Sequence, residues 1–559
     1  MTSRKRRAAV AALGCVCGVA VVLAASGAAT SKDDGPALSD VPTANTKAAG
    51  YAPAPKLSVE LSQIVQAQGA TKLENPQGII GYYGYENDVP SPSDPSVPEM
   101  VPAAAVQTEA QKTEPDKNTY LVFKHGLSGP DGGYDYGSHF LFQGHEAAAS
   151  ADGKKLGYIT RINLDADAAH RVTLLASRDV NGEPLATIDG STWDPWARKL
   201  IFTTENASTP TYSASADYPS QVEDVSGALG RGGYEGVQND SAGNLWIVED
   251  IGGASKPSTT ARIPNSFVYR YVPRKPGELK SGKLQVLEVL NDANQPVTVE
   301  SQTPLSSPDQ VALHTYGKSF EARWVTIHDT AVDGSTPFNA NTLAKQAHGT
   351  PFKRPENGVF RPGSKFRDFY FDETGDTNAT SPENGDPVTG VGGLGGWTSL
   401  FKLEQSSPSA NNGTLTLFYK GNEAHAGFDN VTFLSRSRLL VVEDAGDTLH
   451  SQRNALDSGF AFDVFTDYSN PAVQPLRWLA QGRDASATID SANGGFGKND
   501  SDNELTGVHV SDGDPSTEGL LGAESPKVWK DGWRWFYTQQ HGDNPTFEVV
   551  PAGDVRGDD

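Results

Sequence analysis

Leu245-Trp246-Ile247-Val248-Glu249-Asp250 and Leu439-Leu440-Val441-Val442-Glu443-Asp444 are two versions of one phrase. Looser copies are Leu200-Ile201-Phe202-Thr203-Thr204-Glu205-Asn206, Trp324-Val325-Thr326-Ile327-His328-Asp329 and Trp535-Phe536-Tyr537-Thr538-Gln539-Gln540-His541. Each is a short run of β-branched, aliphatic and aromatic residues that suits a strand. Each finishes on side chains that offer oxygen or nitrogen. If the copies are equivalent strands of a closed repeat, their ends converge on one place. Converging carboxylates repel one another unless something positive sits between them, most simply a metal ion.

Outward from these phrases the chain keeps one texture. From Thr119 onward short β-prone runs alternate with Gly, Asn, Asp and Pro clusters, and Asn181-Gly182, Asp189-Gly190 and Asp512-Gly513 are turn signals. Helical periodicity is scarce. An all-β domain follows, and a recurring acid-tipped strand favours a β-propeller over a sandwich or barrel. The irregular spacing of the copies requires insertions between blades. We read residues 119–550 as the propeller, 30–118 as a Pro- and Ala-rich, mostly irregular N-terminal extension, and 551–559 as a tail. Within the extension, residues 57–65 suggest a short helix.

Residues 1–29 read as an export signal, with Arg4, Lys5, Arg6 and Arg7 before an apolar run and small residues at Ser26-Gly27-Ala28-Ala29. That implies a secreted or cell-surface protein without a stable membrane anchor. Cys15 and Cys17 are the only cysteines, so nothing beyond the signal can form a disulfide or a thiolate site. A formal net charge of −23 argues against nucleic acid as a partner and fits a soluble monomer able to bind divalent cations.

Several segments offer site chemistry. Glu235 sits among glycines in Gly232-Gly233-Tyr234-Glu235-Gly236, where a carboxylate can approach an ion without crowding; an exposed loop acid fits equally. In Glu249-Asp250 and Glu443-Asp444 strand alternation sends one acid of each pair inward. A lone pair of this kind would be an ordinary turn acid, but near-identical pairs weigh towards a shared site. Lys353-Arg354-Pro355-Glu356 joins a planar cation to a carboxylate across a rigid proline, which suits phosphate or carboxylate recognition; a surface ion pair is the bland alternative. Asp429-Asn430 suits an oxygen ligand or a turn. His145 and His541 are secondary candidates as ligands or proton carriers. No Gly-x-Ser-x-Gly elbow, His-Glu-x-x-His motif or phosphate-binding P-loop is present.

Taken in order, these segments resemble the PhoX-type alkaline phosphatases, exported bacterial six-bladed propellers. Residues 196–206 resemble that family's strand ending Thr-Cys-Glu-Glu-Asn, and residues 230–237 its Gly-Arg…His-Glu segment. Glu249-Asp250 with the run from Phe267 to Val272 resembles its Gly-Asp-Asp…Tyr-x-Tyr-Lys-Phe-Val. Residues 350–356 resemble its Ala-Thr…Arg-Pro-Glu, Asp429-Asn430 its Pro-Asp-Asn, and Gln539-Gln540-His541 its Gln-His-Pro-Gly. The resemblance implies about six blades and hydrolysis of phosphate monoesters, small-molecule substrates, with iron and calcium in the funnel. It makes Glu205, Glu235, Glu356 and, less directly, Glu249 and Asp250 metal ligands, and Arg354 the clamp on the phosphoryl oxygens. Thr203, Asp429, Asn430, Glu443, Asp444 and His541 are secondary candidates. The chain departs from the pattern where Thr203 replaces the family's cysteine, Thr204 the following glutamate and Tyr234 the histidine. An all-oxygen site suits calcium better than iron. Two alternatives stay open: a calcium-stabilised binding propeller without catalysis, and a propeller hydrolase acting on other esters.

Overall fold

The structure, a computed structural model, describes residues 35–47, 54–86, 112–151, 154–255, 260–303, 305–381, 394–482, 504–540 and 544–553. The expected export signal, His541 and residues 554–559 lie outside them.

The molecule is a β-propeller. Its strands form antiparallel groups of four, each built on consecutive hairpins. Blade one comprises Thr119–Val122, His139–Gln143, Ile159–Asn163 and Val172–Ala176; blade two Ser191–Asp194, Lys199–Phe202, Tyr212–Ala214 and Val222–Asp224. Blade three comprises Tyr234–Asn239, Leu245–Glu249, Val268–Pro273 and Gly282–Val289; blade four Gly358–Phe360, Asp368–Glu373, Ser399–Gln405 and Asn412–Lys420. Blade five comprises Phe428–Phe433, Arg438–Glu443, Ser458–Asp463 and Leu476–Ala480; blade six Glu504–Ser511, Arg534–Gln540 and Thr546–Pro551, completed by Leu61–Ala67. The first strands touch their neighbours in cyclic order, blade six returning to blade one, so they line the central channel.

The apolar cores lie between blades, which is why successive strands carry inward residues on both faces. Trp246 of blade three meets Phe360 of blade four edge-on at 5.0 Å, and Trp324 at 5.0 Å. Such pairs add about 0.5–1.5 kcal/mol each beyond area burial.

Two expectations are corrected. The helix expected at residues 57–65 is strand instead: Lys56–Leu57 pairs with Leu476–Ala480, and Leu61–Ala67 pairs antiparallel with Thr546–Pro551. An open sheet edge left by the C-terminal strands outweighs the weak local helical preference. The N-terminal extension therefore supplies outer strands to two blades. The acid-tipped copy ending at Asp329 is also not a blade's second strand. It belongs to Ser319–Asp329, in an insertion that bridges blades three and four, where Asp329 caps the short helix Thr330–Asp333.

Candidate metal centre

In an antiparallel hairpin the start of one strand lies beside the end of the next. The propeller uses this at one end of its channel. Tyr234 pairs with Glu249, Phe428 with Glu443 and Glu504 with Gln540. Acids at or just before the first strands are Asp116, Asp189, Glu235, Glu356 and Asp429; acids just after the second strands are Glu146, Glu205, Asp250 and Asp444.

Among the described residues, eight of these carboxyl groups form four overlapping triads: Asp116, Glu146 and Asp189; Asp189, Glu205 and Glu235; Glu205, Asp250 and Glu356; Glu235, Glu356 and Asp429. Within each triad one oxygen from every member lies within 4.8 Å of the others. Asp116, Asp189, Glu235, Glu356 and Asp429 are buried, and Glu205 is the member open to solvent.

Two cations answer this negative charge. Lys117 Nζ donates to Asn357 Oδ1 at 2.6 Å and Asn430 Oδ1 at 3.1 Å. Burial lowers its pKa, opposed by the Asp429, Asp116 and Glu235 carboxylates. Arg354 Nε and Nη2 fork onto Asp250 at 2.8–3.1 Å, and Nη2 lies 3.1 Å from Glu356. Burial works against the Arg354 charge, yet Asp250 and Glu356 hold its pKa well above the usual value. Its Nη1 has no protein partner among the described residues.

The carboxyls respond to crowding. Burial, then neighbouring carboxylates, raise Glu146, Asp189, Glu235, Glu356 and Asp429 well above the ordinary carboxylate range. Glu205, accessible but surrounded by the funnel wall and facing Asp250, is pushed up to about 8. Asp189 Oδ1, Glu235 Oε2 and Asp429 Oδ2 are buried without a hydrogen-bond partner. Orphaned buried anionic oxygens are costly, and a coordinated cation would satisfy them. The donor set, oxygen throughout, fits hard divalent cations.

The structure brings Glu205, Glu235, Asp250, Glu356, Asp429 and Arg354 together. Asp444 lies close enough to raise Asp429 and to favour the Arg354 charge. Asn430 donates to Asp429 at 2.7 Å. Thr203 Oγ1 donates to the Glu235 carbonyl at 2.5 Å. Glu249 and Glu443 are not in the cluster. Glu249 Oε2 accepts from Phe267 N and Tyr269 Oη of blade three and from Asn341 Nδ2 of the helix Ala340–Gln346, each at 3.0 Å. Glu443 accepts from Ala426 N at 2.8 Å and Ser458 N at 2.9 Å, inside blade five. In each acidic pair the strand's last residue is thus spent on the sheet, and the next residue reaches the channel. His145 stacks on Tyr158 at 3.9 Å, and burial pushes its pKa down to about 3, so it is a neutral packing residue.

Sequence reasoning missed Asp116, Lys117, Glu146 and Asp189. In sequence Asp189 is a turn signal with Gly190, and Asp116 falls within the N-terminal extension. For Asp116 and Asp189 the usable signal is position, an acid two or three residues before a channel-lining strand; for Glu146 it is an acid three residues after a blade's second strand.

The family model of alkaline phosphatase PhoX matches residues 259–516, which include Arg354, Glu356, Asp429 and Asp444. No curated protein matches the chain by sequence. Among solved structures, Pseudomonas fluorescens PhoX in complex with vanadate, a transition state analogue, superposes with a TM-score of 0.52 at 10% identity, covering 92% of this chain and 98% of that one. The periplasmic gluconolactonase PpgL of Pseudomonas aeruginosa gives a TM-score of 0.30 at 13% identity, covering 76% of this chain and 97% of that one, a likeness too slight to bear on function. Residues 259–516 are thus similar to the alkaline phosphatase PhoX family, and the chain's β-propeller is similar in fold to that of Pseudomonas fluorescens PhoX.

Proposed function

We propose that this protein is an exported, metal-dependent phosphatase that hydrolyses phosphate monoesters in the propeller funnel. The observation that carries this reading is the run of linked carboxylate triads with Arg354 at its edge, one guanidinium nitrogen uncommitted. Carboxylates alone would repel a phosphate dianion. With cations between them the same cluster becomes an anion-binding surface. Asp116, Glu146, Asp189, Glu205, Glu235, Asp250, Glu356 and Asp429 would hold the ions. Calcium is favoured, because Thr203 offers no thiolate to recruit iron. Bound cations supply charge that stabilises the phosphoryl oxygens and eases deprotonation of water.

The chain's own groups do the positioning. Asp250 and Glu356 fix the Arg354 plane, leaving Nη1 to donate to a phosphoryl oxygen. Lys117, tethered by Asn357 and Asn430, offsets charge deeper in the cluster. Because the carboxyls hold protons more tightly than usual, cation binding releases protons.

The test is elemental analysis of the purified chain from residue 30, with turnover of p-nitrophenyl phosphate measured on the same sample. Bound calcium, turnover abolished by chelation and restored by calcium is the expected result. Stoichiometric calcium without turnover of any phosphoester, even after iron is added, would replace this reading with a non-catalytic binding propeller. Turnover of a lactone or carboxylic ester instead would point to the other hydrolase.

A further inference from the structure

Arg354 sits in a backbone conformation that needs outside support. Its φ is +59°, in the left-handed region that a residue other than glycine rarely adopts without compensation. The support comes from one segment, residues 373–376, at the end of blade four's second strand. Glu373 Oε1 accepts the Lys353 N–H at 2.8 Å. Thr374 N–H donates to the Arg354 carbonyl at 2.9 Å, and Gly375 N–H to the Lys353 carbonyl at 3.1 Å. Lys353 Nζ meets Asp376 Oδ2 at 3.0 Å, with both side chains at most 1% exposed. The residues on either side of the Arg354 Cα are therefore clamped before the guanidinium reaches its partners.

Glu373 is itself held from behind. Its Oε2 lies 2.9 Å from His314 Nε2, and His314 Nδ1 lies 3.0 Å from the Gln310 carbonyl. A carbonyl only accepts, so Nδ1 carries a proton. The contact between Nε2 and Oε2 then requires a second proton, shared by the pair. Gly395 backs this contact, with φ +76°, and a Cβ there would lie 2.8 Å from His314 Nε2 and 2.9 Å from Glu373 Oε2. None of these groups belongs to the carboxylate triads.

We propose that Glu373 is a positioning residue: braced by His314 and acting with the Lys353–Asp376 ion pair, it fixes the backbone that presents Arg354 to Asp250, Glu356 and the substrate's phosphoryl group. The inference rests on the phosphoryl-binding role assigned to Arg354. Glu373 reaches the chemistry only through that residue.

Glu373→Gln separates this role from bulk packing. The amide oxygen still accepts from Lys353 N–H, and the amide nitrogen can donate to a neutral His314 Nε2, so turnover of p-nitrophenyl phosphate should stay within about twofold of the parent. Glu373→Met removes both bonds at similar volume and should lower kcat/KM by about tenfold or more, with weaker inhibition by inorganic phosphate. In an Arg354→Ala background the Met substitution should cost nothing further, because its effect runs through Arg354. Additive losses, or a Met variant with parental turnover and phosphate inhibition, overturn the proposal. If the Met variant fails to fold, Glu373→Asp, too short to span both partners, should show the same loss. A crystal structure of either variant decides the matter without activity: Arg354 released from Asp250 supports the proposal, and an unmoved Arg354 refutes it. Absence of turnover in the parent protein would instead sink the phosphatase reading and leave that structural test standing.

Discussion

Replacing Arg354 by alanine strips the only guanidinium that the described residues place at the edge of the cluster. Its side chain is 20% exposed, against 6% each for Asp250 and Glu356, so two nearly buried carboxylates lose their partner. Breaking a buried ion pair costs about 3–5 kcal/mol, the upper bound here because a proton or an extra cation can take the vacated charge. Turnover falls for a separate reason. A charge-assisted hydrogen bond contributes about 1.5–3 kcal/mol, so losing the Nη1 donor in the transition state should lower kcat/KM for p-nitrophenyl phosphate by roughly 10²-fold. Arg354→Lys distinguishes the two effects. It restores a point charge and much of the melting temperature, but not the planar fork onto Asp250, so most of the turnover stays lost. The measurement is kcat/KM with calcium in excess, beside the melting temperature of each variant. A well-folded Arg354→Ala protein within about threefold of the parent would refute the clamp.

Stability should depend on pH in a direction set by the crowded carboxyls. Glu205 moves from 4.5 to about 8 on folding, so its contribution is complete below pH 4.5 and lost as pH rises through 8. Buried Glu235 and Asp429 shift the same way, and the melting temperature of the chelated protein should fall across that window while excess calcium flattens the fall; a rise would contradict the arrangement. Glu249→Leu should lower the melting temperature, because Phe267 N–H and the Tyr269 and Asn341 donors lose a shared acceptor, at about 1–3 kcal/mol for an unsatisfied buried group. Its calcium content should match the parent's, and lost calcium would restore Glu249 to the ligand set. Thr203→Cys places a thiol beside Glu235 and should raise bound iron in elemental analysis after growth with added iron; an unchanged metal content would show that the position does not face the ions.

Much of this arrangement was legible as local pattern. The phrases beginning at Leu200, Leu245, Leu439 and Trp535 carry the second strands of their blades, and β-propensity with oxygen- or nitrogen-bearing tips is enough to find them. Asp329 carries the same local signature and lies elsewhere, since an insertion strand is as apolar as a blade strand. Asp189 and Asp116 escaped because an acid before a strand looks like any turn acid until the strand is known to line a channel. Residues 61–67 escaped for a related reason: their partner, Thr546–Pro551, is at the far end of the chain, and no local signal records an open edge there.

The sequence by itself determined the strand-rich texture, the acidic composition, the lack of any thiolate beyond residue 17 and the rule that one acid of each Glu-Asp pair would turn inward. These follow from side-chain chemistry and the two-residue period of a strand. Only the tertiary structure decided which acid turned. In both pairs the hydrogen bonds of the blade captured the glutamate, leaving Asp250 and Asp444 to the channel side. It also decided that Lys353 would be held by Glu373 and Asp376, and the Arg354 carbonyl by Thr374, around a left-handed Arg354, because that geometry depends on contacts between segments rather than on the residues of the turn.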